Sequence, residues 1–411
     1  MLMAFLGSAL FLQAQPGIQS FTLPNGLRVL HLEDHERPLV RVHLYLKIES
    51  GDTPTGRQGL PLLFHRMVDR AETADLKAGD LDRILEDSGI QLTQSLEPGG
   101  FNWRLMARSR DQDRAMGLLA DRLLRTLFDP SLLEAQRLAC QRQLERLEDT
   151  PHKRLKQALT QDPASRPTLS SLRAITLQDL LSFRAKVFRP DRAILILHGD
   201  LGLEQAKRLV FLSLGTWTAQ APPAPDRPPS RSPSASAAPP SVPLEAPRIS
   251  APGAGIRIQA VAFRPGDLAP EAIELLKLLV PGDLSLFPVQ IAIEGDCLVA
   301  TLDGEVGTSG SIAGSLLHRR LEALRQRGFA QADLDRARFA WFARRSLDSL
   351  HPEAQMDRAL VEAMGHGAAG DRLKAMSLET LNRALRNWLD PANLRTGASG
   401  DPDDLKTLTT P

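Results

Sequence analysis

A chain of 411 residues with 42% hydrophobic and 24% charged side chains can form two or three domains with sizeable cores, and is too apolar to stay disordered. The 50 Lys and Arg against 49 Asp and Glu leave a net charge of +1, which offers no electrostatic basis for a nucleic-acid partner. Two cysteines, Cys140 and Cys297, cannot build a disulfide framework or a four-cysteine zinc site, and 5% aromatic residues argue against a stacking platform for bases or sugars.

The chain opens on MLMAFLGSALFLQA, residues 1–14, an apolar run shorter than the roughly 20 residues of a membrane helix. Its small-residue exit fits an export signal over residues 1–18, although no Lys or Arg precedes the run. Two β-rich runs then flank Asn25-Gly26, a dipeptide that favours a hairpin because both residues tolerate positive φ. Leu39–Ile48 reads as a strand, with Val40, Val42, Leu44 and Leu46 alternating with Arg41, His43, Tyr45 and Lys47. A helix follows Gly59, because Leu60, Leu63, Phe64 and Met67 fall on one face. A second helix covers Leu81–Ser88 and stops at Gly89, and strands are expected over Ile90–Ser95 and Asn102–Ala107. Met116, Leu119, Leu123, Leu124 and Leu127 mark a third helix, and Leu133, Cys140, Leu144 and Leu147 a fourth. Thr176 caps a further helix, Pro190-Asp191 turns the chain, and Ala193–His198 is a buried strand.

The segment QAPPAPDRPPSRSPSASAAPPSVPLEAP, residues 220–247, holds a third of the 30 prolines and reads as an extended connector. Beyond it, strands are expected over Gly255–Phe263, Val289–Ile293 and Cys297–Leu302, and helices over Pro270–Leu279, Leu316–Gly328, Ala332–Leu347 and Leu378–Leu389. The order of elements repeats that of the first half, which predicts an internal duplication. The expected fold is α+β, with two homologous halves, each a mostly antiparallel sheet packed with helices. The expected domains are 19–219 and 249–411, joined by a connector over 220–248.

Several stretches together resemble the insulinase and mitochondrial-processing-peptidase family of inverted-motif zinc peptidases. Leu23-Pro24-Asn25-Gly26-Leu27-Arg28-Val29 is similar to its opening L-x-N-G-L-x-V, and Glu49 through Leu60 to its approach to the catalytic helix. Residues 113–130 resemble the helix before its third ligand, and Leu177–Asp200 its closing strand motif. The resemblance covers roughly residues 20–216 well and 255–390 weakly.

It implies a zinc site built on H-x-x-E-H, in which two His at i and i+4 grip the ion and the Glu acts as general base. Laid on that motif, GLPLLFHRM puts Leu62 in the first His slot, His65 in the base slot and Arg66 in the second His slot. Downstream, residues 136–151 place Gln143 at the ligand Glu and Gln136 at a supporting Glu. Leucine has no lone pair, arginine is a permanent cation, and a glutamine amide is a weak neutral ligand. No metal, cofactor or catalytic residue is therefore expected. Without the motif, His65 and Arg66 read as solvated residues on an outer helix face. His31 and His35 would lie about 13 Å apart along a strand, too far to share an ion. With His43 they are expected at the surface, and His198 and Asp200 read as structural.

Active relatives also clamp substrate with an Arg/Tyr pair from the second half. Here Leu279–Phe287 runs almost directly into the next strand, and the one tyrosine, Tyr45, is in the first half. The expectation is a non-catalytic, exported subunit in the periplasm or envelope. It would pair with an active zinc-bearing homologue, wall a peptide-binding chamber and take extended peptides along a sheet edge. The alternatives are an active metalloendopeptidase with non-standard ligands and a structural scaffold subunit of an envelope complex.

Overall fold

Turn chemistry and the alternation of apolar residues place the strands of the first half. β1 (Gln19–Thr22) and β2 (Arg28–Glu33) pair antiparallel around Gly26, whose φ is 92°. Asn25 fixes that turn by donating from Nδ2 to the carbonyls of Leu214 (2.8 Å) and Trp217 (3.0 Å). β3 (Leu39–Lys47), β4 (Gln91–Glu97), β5 (Gly100–Arg108) and β6 (Ala193–Gly199) complete a six-stranded sheet in the order β1-β2-β6-β3-β5-β4. Only the β2–β6 pair is parallel. The computed structural model describes residues 17–77, 79–97, 99–148, 151–160, 167–219, 247–264, 270–280, 289–294, 297–366 and 369–408. Nearly all of the expected export signal (1–18) and connector (220–248) lies outside the described residues, at 1–16 and 220–246, as does most of the stretch 279–287, at 281–287.

Helices cover one face of this sheet. α1 (Leu60–Arg70) buries Leu60, Leu63, Phe64, Met67 and Val68, the face its periodicity predicts plus one residue. Its N-cap, Gly59, has φ 94°, and a Cβ there would meet Leu172 Cδ2 at 2.7 Å, so only glycine fits. Phe64 lies 5.2 to 5.5 Å from the rings of Phe101, Phe128, Phe183 and Phe188. α2 (Asp80–Ser88), α3 (Gln112–Leu124), α4 (Pro130–Glu148), α5 (Pro151–Thr160), α6 (Leu169–Ala174), α7 (Leu177–Val187) and α8 (Leu203–Leu214) follow. Thr176 caps α7 by accepting from the Asp179 N–H, as its sequence predicts.

The second half repeats the plan. Its sheet runs β7-β11-β8-β10-β9, from β7 (Arg248–Ser250), β8 (Arg257–Phe263), β9 (Gln290–Glu294), β10 (Cys297–Asp303) and β11 (Leu394–Gly400). One parallel pair, β7–β11, again sits beside antiparallel neighbours. The helices are α9 (Pro270–Leu279), α10 (Gly310–Arg327), α11 (Gln331–Asp348), α12 (Pro352–Val361), α13 (Ala369–Ala375), α14 (Leu378–Trp388) and α15 (Pro402–Lys406).

A constant shift of 201 residues carries α7 at 177 onto α14 at 378, the turn at Pro190 onto that at Pro391, and β6 at 193 onto β11 at 394. Side-chain bonds obey the same shift. Arg137 donates from Nε to the Leu172 carbonyl (3.2 Å) and from Nη2 to that of Ile175 (2.6 Å). Arg338 makes the same pair of bonds, to Leu373 (3.2 Å) and Met376. The internal duplication is thus legible residue by residue.

The two halves also exchange helices. α12 of the second half packs Met356, Ala359 and Leu360 against Leu30, Leu32 and Ile196 on the outer face of the first sheet. In return α5 packs Leu155 and Leu159 against Val261 and Val299 of the second. Each sheet is therefore covered on both faces, one of them by a helix from the opposite half.

Candidate functional site

The face of α1 that does not enter the core carries Leu62, His65, Arg66 and Asp69, at i, i+3, i+4 and i+7. α4 packs alongside, and it brings Gln143 to this face. Arg66 donates from Nη2 to Gln143 Oε1 at 2.8 Å across 77 residues of sequence. The residues that the resemblance assigns to the second His and the ligand Glu are therefore neighbours in space. Leu62 lies half-buried against the main core, and Gln136 is half-buried two turns before Gln143 on α4.

His65 is not the solvated residue that its position alone suggests. Its ring lies parallel to Phe101, 6.3 Å between centroids and 5° between planes, and Nε2 is buried without a hydrogen-bond partner. Burial pushes its pKa below the ordinary 6.5, with Asp69 opposing and Arg66 adding to the effect, so the imidazole is neutral at pH 7. Arg66 is half-buried rather than fully solvated. Below both, Cys140 is fully buried and its thiol pKa is raised by that burial, which makes it unreactive.

These donors do not fit a zinc ion. Tetrahedral zinc needs three or four lone pairs from N, S or O donors, and Leu62 supplies none. Arg66 would hold a fixed positive charge against the ion, unfavourable by about 4 kcal/mol per unit of ion charge at ~4 Å and a dielectric near 20. Among the described residues no three His, Cys, Asp or Glu side chains lie close enough to hold a metal.

The other histidines need correction. His31 and His43 were expected at the surface, yet both are buried, His43 on the outer sheet face that α12 covers and His31 on the opposite face, beside the turn after β6. His31 Nε2 lies 2.7 Å from the Leu201 carbonyl, and His43 Nε2 lies 2.8 Å from Asn102 Oδ1. His35 alone of the three is exposed, between Asp200 (2.7 Å) and Glu33 (2.8 Å). His198 is buried, with Gln355 of α12 at 3.3 Å.

Gln94 was not singled out by sequence reasoning. It sits on β4, the sheet's edge strand, and donates from Nε2 to the His65 carbonyl (3.1 Å) while accepting from Trp103 Nε1 (3.0 Å). It ties α1 to the open edge. A glutamine at a partly buried position of a strand was the one available signal.

Comparison with known proteins now bears on this arrangement. The model described as insulinase, peptidase family M16, matches residues 28–173, and that described as the peptidase M16 inactive domain matches 174–253. The two matches are contiguous and together cover more than half of the chain. The chain belongs to the M16 family. A search of curated proteins finds no match. Among solved structures, M16-like folds recur over nearly the whole chain. A protease from Helicobacter pylori superposes with a TM-score of 0.76 at 16% identity, covering 93% of this chain and 99% of its own. A peptidase M16 inactive domain from Pseudomonas fluorescens gives 0.73 at 16% identity, covering 94% and 98%. The periplasmic protease PqqL from Escherichia coli gives 0.74 at 13% identity, covering 93% of this chain but 45% of PqqL. This M16 chain thus corresponds to about half of PqqL. Within the M16 fold, Arg66 and Gln143 occupy facing helices beside the edge strand β4.

Proposed function

We propose that this protein is a non-catalytic M16 subunit that pairs with an active, zinc-bearing family member and supplies one wall of a shared peptide-binding chamber. The observation that carries the reading is the 2.8 Å bond between Arg66 and Gln143, two donor-rich side chains in the slots where active relatives are expected to hold zinc ligands. A scaffold kept whole around such a pair is suited to assembly and binding rather than to water activation. The match to less than half of PqqL's length supports a role in which two such units act together. The exposed edge of β4, next to α1, offers backbone N–H and C=O groups to an extended peptide. Export to the periplasm or envelope belongs to the same proposal. Its motive is the apolar N-terminal run, and no helix among the described residues is long and apolar enough to cross a membrane.

Copurification of the tagged chain with zinc-bearing M16 homologues of the same organism tests the pairing, and a stable complex with peptidase activity above that of the homologue alone is the expected result. Metal analysis of the isolated chain is the second arm. One tightly held zinc per chain together with chelator-sensitive cleavage would overturn the proposal in favour of an active peptidase. Complex formation without peptide affinity would favour a structural scaffold.

A further inference from the structure

Two uses of the guanidinium recur among the buried and half-buried arginines described. Arg122, Arg137 and Arg184 donate to carbonyls at helix ends, as in the bonds from Arg122 to Val68 (3.0 Å) and Ala71 (2.7 Å). Arg57 and Arg192 meet carboxylates, Asp179 at 2.8 Å and Asp52 at 2.7 Å. Arg66 does neither. Its side-chain hydrogen bond among the described residues goes to the neutral Gln143 Oε1, and no described carboxylate lies within ion-pair distance of it. The nearest acid along α1, Asp69, pairs with Arg70 at 3.1 Å.

The donor count follows from the chemistry. A guanidinium carries five N–H donors and no acceptor, so four have no hydrogen-bond partner among the described residues. Gln143 turns its amide oxygen toward Arg66, which leaves its two amide N–H groups to point elsewhere. The pair therefore carries many more donors than acceptors together with one positive charge, its one acceptor atom, Gln143 Oε1, being turned toward Arg66. Planar donors of this kind match a carboxylate, which accepts two parallel N–H bonds. The location is also specific, since the residue beside Arg66 is tied through its carbonyl to Gln94 of the edge strand.

We propose that Arg66 and Gln143 form a carboxylate-binding site that anchors an extended peptide by its C-terminus or by an Asp or Glu side chain. In this chain a guanidinium would thus do for an anion what a metal ion does for a carbonyl in active relatives, holding it without activating water. The inference rests on the peptide-binding reading above and adds the chemical class that is recognised.

The test uses the full chain and fluorescently labelled, β-prone peptides in two matched pairs. One pair differs only in a free versus amidated C-terminus, and the other, amidated throughout, in a central Glu versus Gln. Anisotropy titrations at low salt should show the carboxylate member of at least one pair binding about tenfold tighter, the size expected for a charge-assisted bond. The pair that shows the preference identifies the source of the carboxylate. Arg66→Gln should bring the two members to within about twofold, and Arg66→Lys should restore part of the preference. Thermal melts of these variants, expected to match the parent chain, separate a lost site from a lost fold. Equal binding of both members of both pairs, or a preference that survives in Arg66→Gln, would refute the site while leaving peptide binding intact. Binding of none of the four peptides would sink the peptide reading and the carboxylate site together.

Discussion

Arg66 and Gln143 carry the proposed function, and their contact makes a direct prediction about chemistry. The positions that the resemblance assigns to a metal motif lie together, because α1 presents 62, 65 and 66 on one face and α4 brings 143 alongside. The combined replacement Leu62→His, His65→Glu, Arg66→His and Gln143→Glu should therefore create a site with two imidazoles and a carboxylate around an open position. Mass spectrometry of metal content should find close to one zinc per chain in that variant. Leu62 packs against the core edge, so the variant should also lose roughly 1–3 kcal/mol of stability from the apolar contact it gives up. A variant that folds but holds no zinc would show that the facing geometry of α1 and α4 differs from the one on which the alignment of Gln143 rests. The alignment itself was readable because Gly59, Leu60 and Met67 anchor it. The half-burial of His65 was not readable, because Phe101, against which it stacks, lies on a strand 36 positions away.

Among the elements, legibility followed from where each one finds its partner. α7 and α14 were found from the sequence because Thr176 and Ser377 cap them and their apolar faces pack within their own half. α5 and α12 were missed. Each shows only a narrow apolar face, Leu155 and Leu159 in α5 and Met356, Ala359 and Leu360 in α12, whose target is a sheet far away in sequence. β11 was missed as well, since Leu394–Gly400, LRTGASG, has little β-propensity and is a strand because β8 and β7 pair on both sides of it. The duplicated arginines give a test at this scale. Arg137→Leu unties α4 from the turn between α6 and α7, and Arg338→Leu does the same to α11 in the second half. Each leaves at least two carbonyls without their cationic donor, so each should lower unfolding free energy by about 2–4 kcal/mol. Urea denaturation checks both, and a loss confined to one of the two would show that the repeated bonds have diverged in energetic weight.

The exchange of α5 and α12 makes the outer face of each sheet an internal surface of the whole molecule, which is why His43, expected at the surface, is buried. Met356→Ala, deep under α12, should cost about 2–5 kcal/mol, although the residue lies in the opposite half from the sheet it covers. Around that apolar patch runs a polar layer. Arg104 reaches Asp357 (2.8 Å) and Glu353 (3.2 Å), Arg41 lies 3.5 Å from Glu353, and His43 Nδ1 lies 3.6 Å from Asp357. Burial holds the pKa of His43 below its ordinary 6.5, with Arg104 adding to the depression and Asn102, Asp357 and Glu353 opposing it. Burial likewise lowers His198, against the pull of Asp34, Gln355 and Glu353, and it lowers His65 and His152. A histidine kept neutral in the folded chain binds fewer protons than the unfolded chain does once the pH drops below 6.5. Stability from these four groups is thus complete above pH 6.5 and is lost as the pH falls through that value toward the depressed native ones. His35, raised by its bonds to Asp200 and Glu33, works in the opposite sense, but it is exposed and its pairs are screened. Urea midpoints should therefore fall between pH 7.5 and pH 5.5, and His43→Gln should reduce that fall. A midpoint that is flat or rises on acidification would mean that the layer between α12 and the sheet admits water and protons freely, and that the two halves are held together by the apolar patch alone.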